Sequence, residues 1–161
     1  EIHRDIQSLA DLVILNDIYF SFALADCGND SIGKRHKSVT VESMEEYDQV
    51  GGYILYSKTF EYDSELNVVI LEGLADRAQV FLNGKLAGVR LRGEDESPVE
   101  LERELTVGDR LDVLVENMGR IGYGEETYLG DRKGITKAII LSNLKNFKNT
   151  DKRKKKGGKK A

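Results

Sequence analysis

The side chains in this sequence best suited to recognising a polar ligand lie between residues 117 and 132. Asn117 offers both a donor and an acceptor, Arg120 a fork of donors, and Asp131 an acceptor pair. Tyr123 and Tyr128 add aromatic faces with a hydroxyl at one end. That combination is what a sugar asks of a protein: a flat apolar surface for its ring and polar groups around it for its hydroxyls. The chain has no tryptophan and seven tyrosines, so Tyr123 and Tyr128 are the platform this stretch provides. A structural reading competes. Arg120 reads first as a brace that folds back onto loop carbonyls, and Tyr128 as a cover for the core.

Other chemistries find less support. The acidic clusters Glu45-Glu46, Glu94-Asp95-Glu96 and Glu125-Glu126 have the residue type for general acid and base work. Adjacent residues on a strand point to opposite faces, however, and these acids sit in polar surroundings, so they read as solvated surface charge. His3 and His36 are far apart in sequence and Cys27 is the only cysteine, so no zinc site is expected. Calcium needs only oxygen ligands, but no Asp-x-Asp loop suggests it. No glycine-rich loop leads into Lys-Ser/Thr, which removes phosphate cradling. No cofactor is expected. Cys27 reads as a small residue at a strand end. A lone cysteine forms no internal disulfide, which fits a reducing compartment and favours a cytoplasmic setting.

The net charge of −4 is unevenly spread. Seven of the 24 basic residues fall in the last ten positions, leaving 17 basic against 28 acidic residues in the body, a formal −11. An acidic body does not suit nucleic acid as a partner, whereas the basic tail could bind it. No apolar run is long enough for a membrane-spanning helix. The chain starts Glu-Ile-His-Arg-Asp, with neither an initiator Met nor a signal peptide, and reads as a piece or a processed product.

The elements that must position residues 117–132 are strands. Leu111, Val113 and Val115 alternate with Asp112 and Glu116, a period of two that marks a half-buried strand opening into a loop with four glycines. Asn83-Gly84 between apolar runs at 78–82 and 86–91 predicts a type I′ hairpin. Its expected register pairs Leu82 with Lys85, Phe81 with Leu86, Val80 with Ala87 and Gln79 with Gly88. Further strands are expected at 38–41, 53–60, 66–71, 99–105 and 134–141. Ser43-x-x-Glu46 predicts a capping box and a single helical turn. Residues 1–30 fit either two strands around Asn16-Asp17 or a short helix near Ile6, Leu9, Ala10 and Val13. Residues 26–37 read as an exposed loop, and disorder is expected from about residue 150. Eight to ten short strands with almost no helix is the pattern of an all-β sandwich. Residues 38–147 would form it. Residues 1–37 would either join it or link it to an upstream domain, and 148–161 would be a basic tail.

Three segments in order carry a resemblance. Val115-Glu116-Asn117-Met118-Gly119-Arg120 with Tyr123-Gly124 and Lys133-Gly134-Ile135 closely resembles the non-catalytic β-domain of family 35 β-galactosidases. Ser43-Met44-Glu45-Glu46-Tyr47-Asp48-Gln49 with Gly52-Tyr53-Ile54-Leu55-Tyr56 looks like its opening, and residues 76–84 look like its central hairpin. The resemblance covers roughly residues 43–141. It implies a jelly roll of the galactose-binding-domain-like type. It also implies a parent glycosidase whose two catalytic carboxylic acids stand on a TIM barrel of about 250 residues. Nothing here repeats βα eight times, so no catalysis is expected of this chain and the barrel is its expected partner. The resemblance further implies that Tyr123 helps line the entrance to the parent's active site. The family usually has Asn before this Tyr, and Gly122 stands here instead. Two rival roles are a free-standing module for galactose-type sugars and a polyanion-binding adaptor acting through the tail.

Overall fold

The computed structural model describes residues 11–12, 17–21, 35–38, 40–94, 97–120 and 130–148. Ten strands run through them: β1 (Asp11–Leu12), β2 (Asp17–Ser21), β3 (Arg35–His36), β4 (Tyr53–Thr59), β5 (Val68–Ala75), β6 (Arg77–Leu82), β7 (Lys85–Leu91), β8 (Val99–Glu100), β9 (Arg110–Glu116) and β10 (Gly134–Ser142). They form two antiparallel sheets, of order β1-β10-β5-β8 and β3-β2-β4-β9-β6-β7. Successive strands cross between the sheets, at β4 to β5 and again at β9 to β10, so the fold is a β-sandwich of jelly-roll type. No helix among the described residues is long and apolar enough to cross a membrane.

Alternation decides what enters the core. In β9, Leu111, Val113 and Val115 are fully buried while Asp112, Leu114 and Glu116 are half-buried on the outer face. Ile54 and Tyr56 of β4 and Ala78, Val80 and Leu82 of β6 extend that inner surface. Val69 and Leu71 of β5, Val99 of β8, and Ile139 and Leu141 of β10 meet it from the opposite sheet. Each fully buried aliphatic side chain contributes roughly 1.5–3 kcal/mol, so this inter-sheet layer is the main source of cohesion. Gly88 of β7 packs tightly against Val99 of β8 in the opposite sheet. A Cβ on Gly88 would lie 2.9 Å from Val99 Cγ1, so only glycine fits there without displacement.

The Asn83-Gly84 turn forms as expected, with positive φ at both residues (51° and 80°). Leu82 pairs with Lys85 and Phe81 with Leu86. Beyond that the expected register is wrong by one, since Val80 pairs with Gly88 and Gln79 with Val89. Ala87 is the extra residue of a β-bulge, which the apolar pattern does not encode. Other expectations also need correction. Of the strand expected at 38–41, the described residues 38, 40 and 41 are not in a strand. Ser38 instead donates its hydroxyl to Glu42 Oε1 (3.0 Å) and accepts from Thr40 N–H (3.2 Å), a local arrangement that competes with sheet pairing. Arg35 and His36, expected in a loop, pair with β2. The 99–105 strand stops after Glu100 because Arg103 turns to make a bidentate pair with Asp109, at 2.6 and 2.8 Å. Thr106 N–H also donates to Asp109 Oδ2 (2.8 Å), closing a tight turn.

At the N-terminal end, Asp11–Leu12 and Asp17–Ser21 are strands of opposite sheets. The helix alternative, the 26–34 part of the loop and the expected disorder beyond 150 lie outside the described residues. Residues 144–148 add one helical turn that the sequence reading did not anticipate.

Candidate functional site

The end of the sandwich that carries residues 117–120 and 130–133 is organised around two buried features. One is Tyr56, which lies wholly inside the core. Its hydroxyl donates to Glu42 O (2.7 Å) and accepts from Ile135 N–H (2.9 Å), joining the segment before the 3-10 turn Met44–Tyr47 to the start of β10. Burial pushes its phenol well above the usual range, with the Ile135 bond opposing, so it stays protonated. Gly134 makes room for it. The residue has φ +101°, and a Cβ there would lie 2.5 Å from the Tyr56 hydroxyl.

The second feature is a cage of charges from five separate stretches. Lys133 is buried, its side chain 2% exposed. Its Nζ lies 3.0 and 2.8 Å from the Asp76 carboxylate oxygens and 3.1 Å from Asp131 Oδ2. Arg92 spans the same two acids, with Nε 3.0 Å from Asp76 and a terminal nitrogen 2.7 Å from Asp131. Asp76 also accepts from Met118 N–H (2.9 Å). Alongside, Arg120 reaches Glu45 Oε1 (2.6 Å), and the Glu45 carboxylate accepts Lys133 N–H at 3.1 Å on both oxygens. Three carboxylates thus face three cations, which is how buried charge becomes tolerable.

The titration behaviour follows. Burial by itself would raise the Asp131 carboxyl, but its bonds to Arg92 and Lys133 outweigh this and hold it below the ordinary carboxylate range. Glu45 is likewise raised by burial and brought lower still by Arg120 and the backbone bonds around it. The bond to Asp131 raises Arg92. A carboxylic acid that donates a proton to a glycosidic oxygen near neutral pH needs the opposite shift. Glu45 and Asp131 are held ionised, as counter-ions.

The five residues expected to recognise a ligand separate here. Tyr123 and Tyr128 lie outside the described residues, as do Glu125, Glu126, Cys27 and His3. Arg120 has the bracing geometry. Its side chain is 10% exposed, and besides Glu45 it bonds Val50 O (3.1 Å) and Asp131 O (2.8 Å). Asn117 donates to Val50 O (3.1 Å) and accepts from Gly119 N–H (2.9 Å). Asp131 belongs to the cage. Glu45, read from sequence as solvated, is in fact engaged by Arg120 and Lys133, whereas Glu46 stays half exposed beside Arg132. The expected capping box does not form. The turn is a 3-10 helix, Ser43 makes no side-chain cap, and its hydroxyl accepts from Arg132 Nε (3.2 Å) instead. Lys133, Asp76 and Arg92 were missed because the contacts that close the cage, Lys133 to Asp76 and Arg92 to Asp131, join residues 57 and 39 positions apart, where no local spacing can reveal them. Among the described residues no group of three or more His, Cys, Asp or Glu is arranged to hold a metal.

Residues 42–151 match the family of the beta-galactosidase first all-beta domain. The chain belongs to that family. Beta-galactosidase 17 of Arabidopsis thaliana is 35% identical over 109 residues, covering 62% of this chain and 15% of the plant protein. The human beta-galactosidase is 36% identical over 94 residues, 56% of this chain and 13% of its own. A mouse beta-galactosidase-1-like protein is 44% identical over 69 residues, 43% of this chain and 10% of its own. The all-beta domain therefore spans about one seventh of the first two relatives. Among solved structures, a GH2 beta-galacturonidase from Eisenbergiella tayi superposes with TM-score 0.57 at 16% identity, covering 84% of this chain and 25% of that one. A putative beta-galactosidase from Bacteroides fragilis gives 0.53 at 17% identity, over 83% and 23%. At such identities these two likenesses establish the fold alone.

Proposed function

We propose that this all-beta domain is a non-catalytic accessory unit of a family 35 glycoside hydrolase acting on β-galactosides. In this reading it packs beside the catalytic barrel and shapes access to it. The observation that carries the reading is the family match over residues 42–151 to a domain that makes up about one seventh of its relatives. The charge cage supports it. Arg120 and Asp131, which flank residues 121–129, are tied to each other and to the sandwich by groups already satisfied within the protein. That is the construction of a mount rather than of an open binding pocket. Tyr123, between those two residues, is the side chain proposed to face the substrate entrance of the whole enzyme.

Titrating the chain with galactose and lactose while following backbone amide NMR signals tests the accessory role. Shifts are not expected at millimolar sugar. Shifts clustered at 117–120 and 130–132 would instead make it an independent sugar-binding module. In the full-length enzyme, Tyr123→Phe should change galactoside affinity or turnover, and unchanged kinetics would leave the domain a support only.

A further inference from the structure

Among the described residues β7 and β8 are edge strands of the two sheets, and they approach closely at Gly88 and Val99. Beside this contact lies a groove of about 230 Å³. Leu82, Leu86, Ala87 and Leu101 line it together with Lys85, Glu100 and Glu102. Leu86 is 49% exposed, a large apolar surface left open on a sheet edge. Lys85 pairs with Glu102 (2.5 Å), but both side chains are more than half exposed, and exposed pairs of this kind exchange partners readily.

The chain itself supplies a complementary group beside this groove. Leu144 N–H, at the start of the last described turn, donates to Asn67 Oδ1 (3.0 Å), and Asn67 O accepts from Leu101 N–H (2.8 Å). Asn67 thus links Leu144, one helical turn before residue 148, to Leu101 in the groove lining. Residues 152–160 hold seven Lys and Arg side chains. At about 3.3 Å per extended residue they span distances of roughly 13 to 40 Å from residue 148, ample to reach the groove. A tether this short gives an effective concentration on the order of millimolar, enough to populate a weak contact. Lysine stems can lie along Leu86 while their ammonium groups stay in water beside carboxylates.

We propose that the lysine-rich segment 152–160 docks intramolecularly in this groove, its ammonium groups against Glu100 and Glu102 and its stems across Leu86. The test compares amide NMR spectra of the full chain and of the same chain lacking 152–161. The comparison is made at about 20 mM and about 500 mM salt, between which the Debye length falls from about 20 Å to about 4 Å. At low salt the deletion should shift the amides of Lys85, Leu86, Ala87 and residues 100–102, and at high salt the two spectra should coincide there. Glu100→Gln with Glu102→Gln in the full chain, both at exposed positions, should reproduce the effect of the deletion. Groove amides identical with and without the tail at low salt would overturn the proposal. So would shifts that scale with protein concentration, which would assign the contact to a neighbouring copy, or shifts confined to acidic residues outside the groove.

Discussion

Replacing Lys133 with Met removes a charge and leaves most of the hydrocarbon in place. The ammonium touches both oxygens of Asp76 and one of Asp131, and its side chain is 2% exposed. Breaking a buried ion pair from one side costs about 3–5 kcal/mol, because the remaining charge stays buried without compensation. Here Arg92 still bonds both carboxylates, at 3.0 and 2.7 Å, so the loss should fall at the lower end, about 3 kcal/mol. For a chain of this size that lowers Tm by roughly 10 °C. The pH dependence separates charge from packing. The Asp131 carboxyl titrates below its unfolded value in the intact cage. Its stabilisation is therefore fully present above the unfolded pKa and is lost as pH falls through the folded one. Without Lys133 part of that depression disappears, and a protonated carboxyl leaves nothing uncompensated. The Tm difference between the two proteins, followed by circular dichroism, should be largest near neutral pH and shrink as pH falls from about 5 toward 3. A Tm loss under about 3 °C, or a larger one constant across that range, would refute the charge account.

Other consequences follow from the same contacts. Tyr56→Phe strands Glu42 O and Ile135 N–H inside the core and should cost about 2 kcal/mol in urea unfolding. Gly134→Ala should cost at least as much, since its Cβ meets the Tyr56 hydroxyl at 2.5 Å. Combining it with Tyr56→Phe should cost less than the sum, because the two share one contact, and strict additivity would contradict that. Gly88→Val should lose about 1–3 kcal/mol through overpacking against Val99, seen as a lower urea midpoint with an unchanged slope. Asp109 is held far below the usual carboxylate range, first by Arg103, with burial opposing and Thr106 and Asn83 assisting. Its contribution is thus present above about pH 4, the unfolded value, and fades in stronger acid. Asp109→Asn should flatten the acid limb of the stability curve and lower its neutral plateau. An unchanged acid limb would assign the acid loss to other groups.

Much of the sandwich can be read from local rules. Leu111, Val113 and Val115 announce an inner face by alternation, and Asn83-Gly84 fixes a turn because few other residue pairs tolerate positive φ twice. What fails is whatever depends on side-chain partners or local geometry that the apolar pattern does not encode. The bulge at Ala87 lies in a stretch of β7 whose apolar pattern reads the same in either register. The early end of β8 follows from Arg103 reaching Asp109 across a turn. Glu45 looks like one more surface acid until Arg120, 75 positions on, is brought beside it. At the rim, the types of Asn117, Arg120 and Asp131 pointed to recognition chemistry. Their described contacts run to Val50, Glu45, Arg92 and Lys133, partners that composition cannot supply.

The accessory role is tested most directly by hydrogen exchange, read by mass spectrometry, on this chain alone and within the full-length protein. Amides at 43–52, 117–120 and 130–133 should exchange more slowly in the full-length protein, with the β4, β6 and β9 core unchanged. Equal exchange at that rim in both, or protection appearing only on another face of the sandwich, would contradict it.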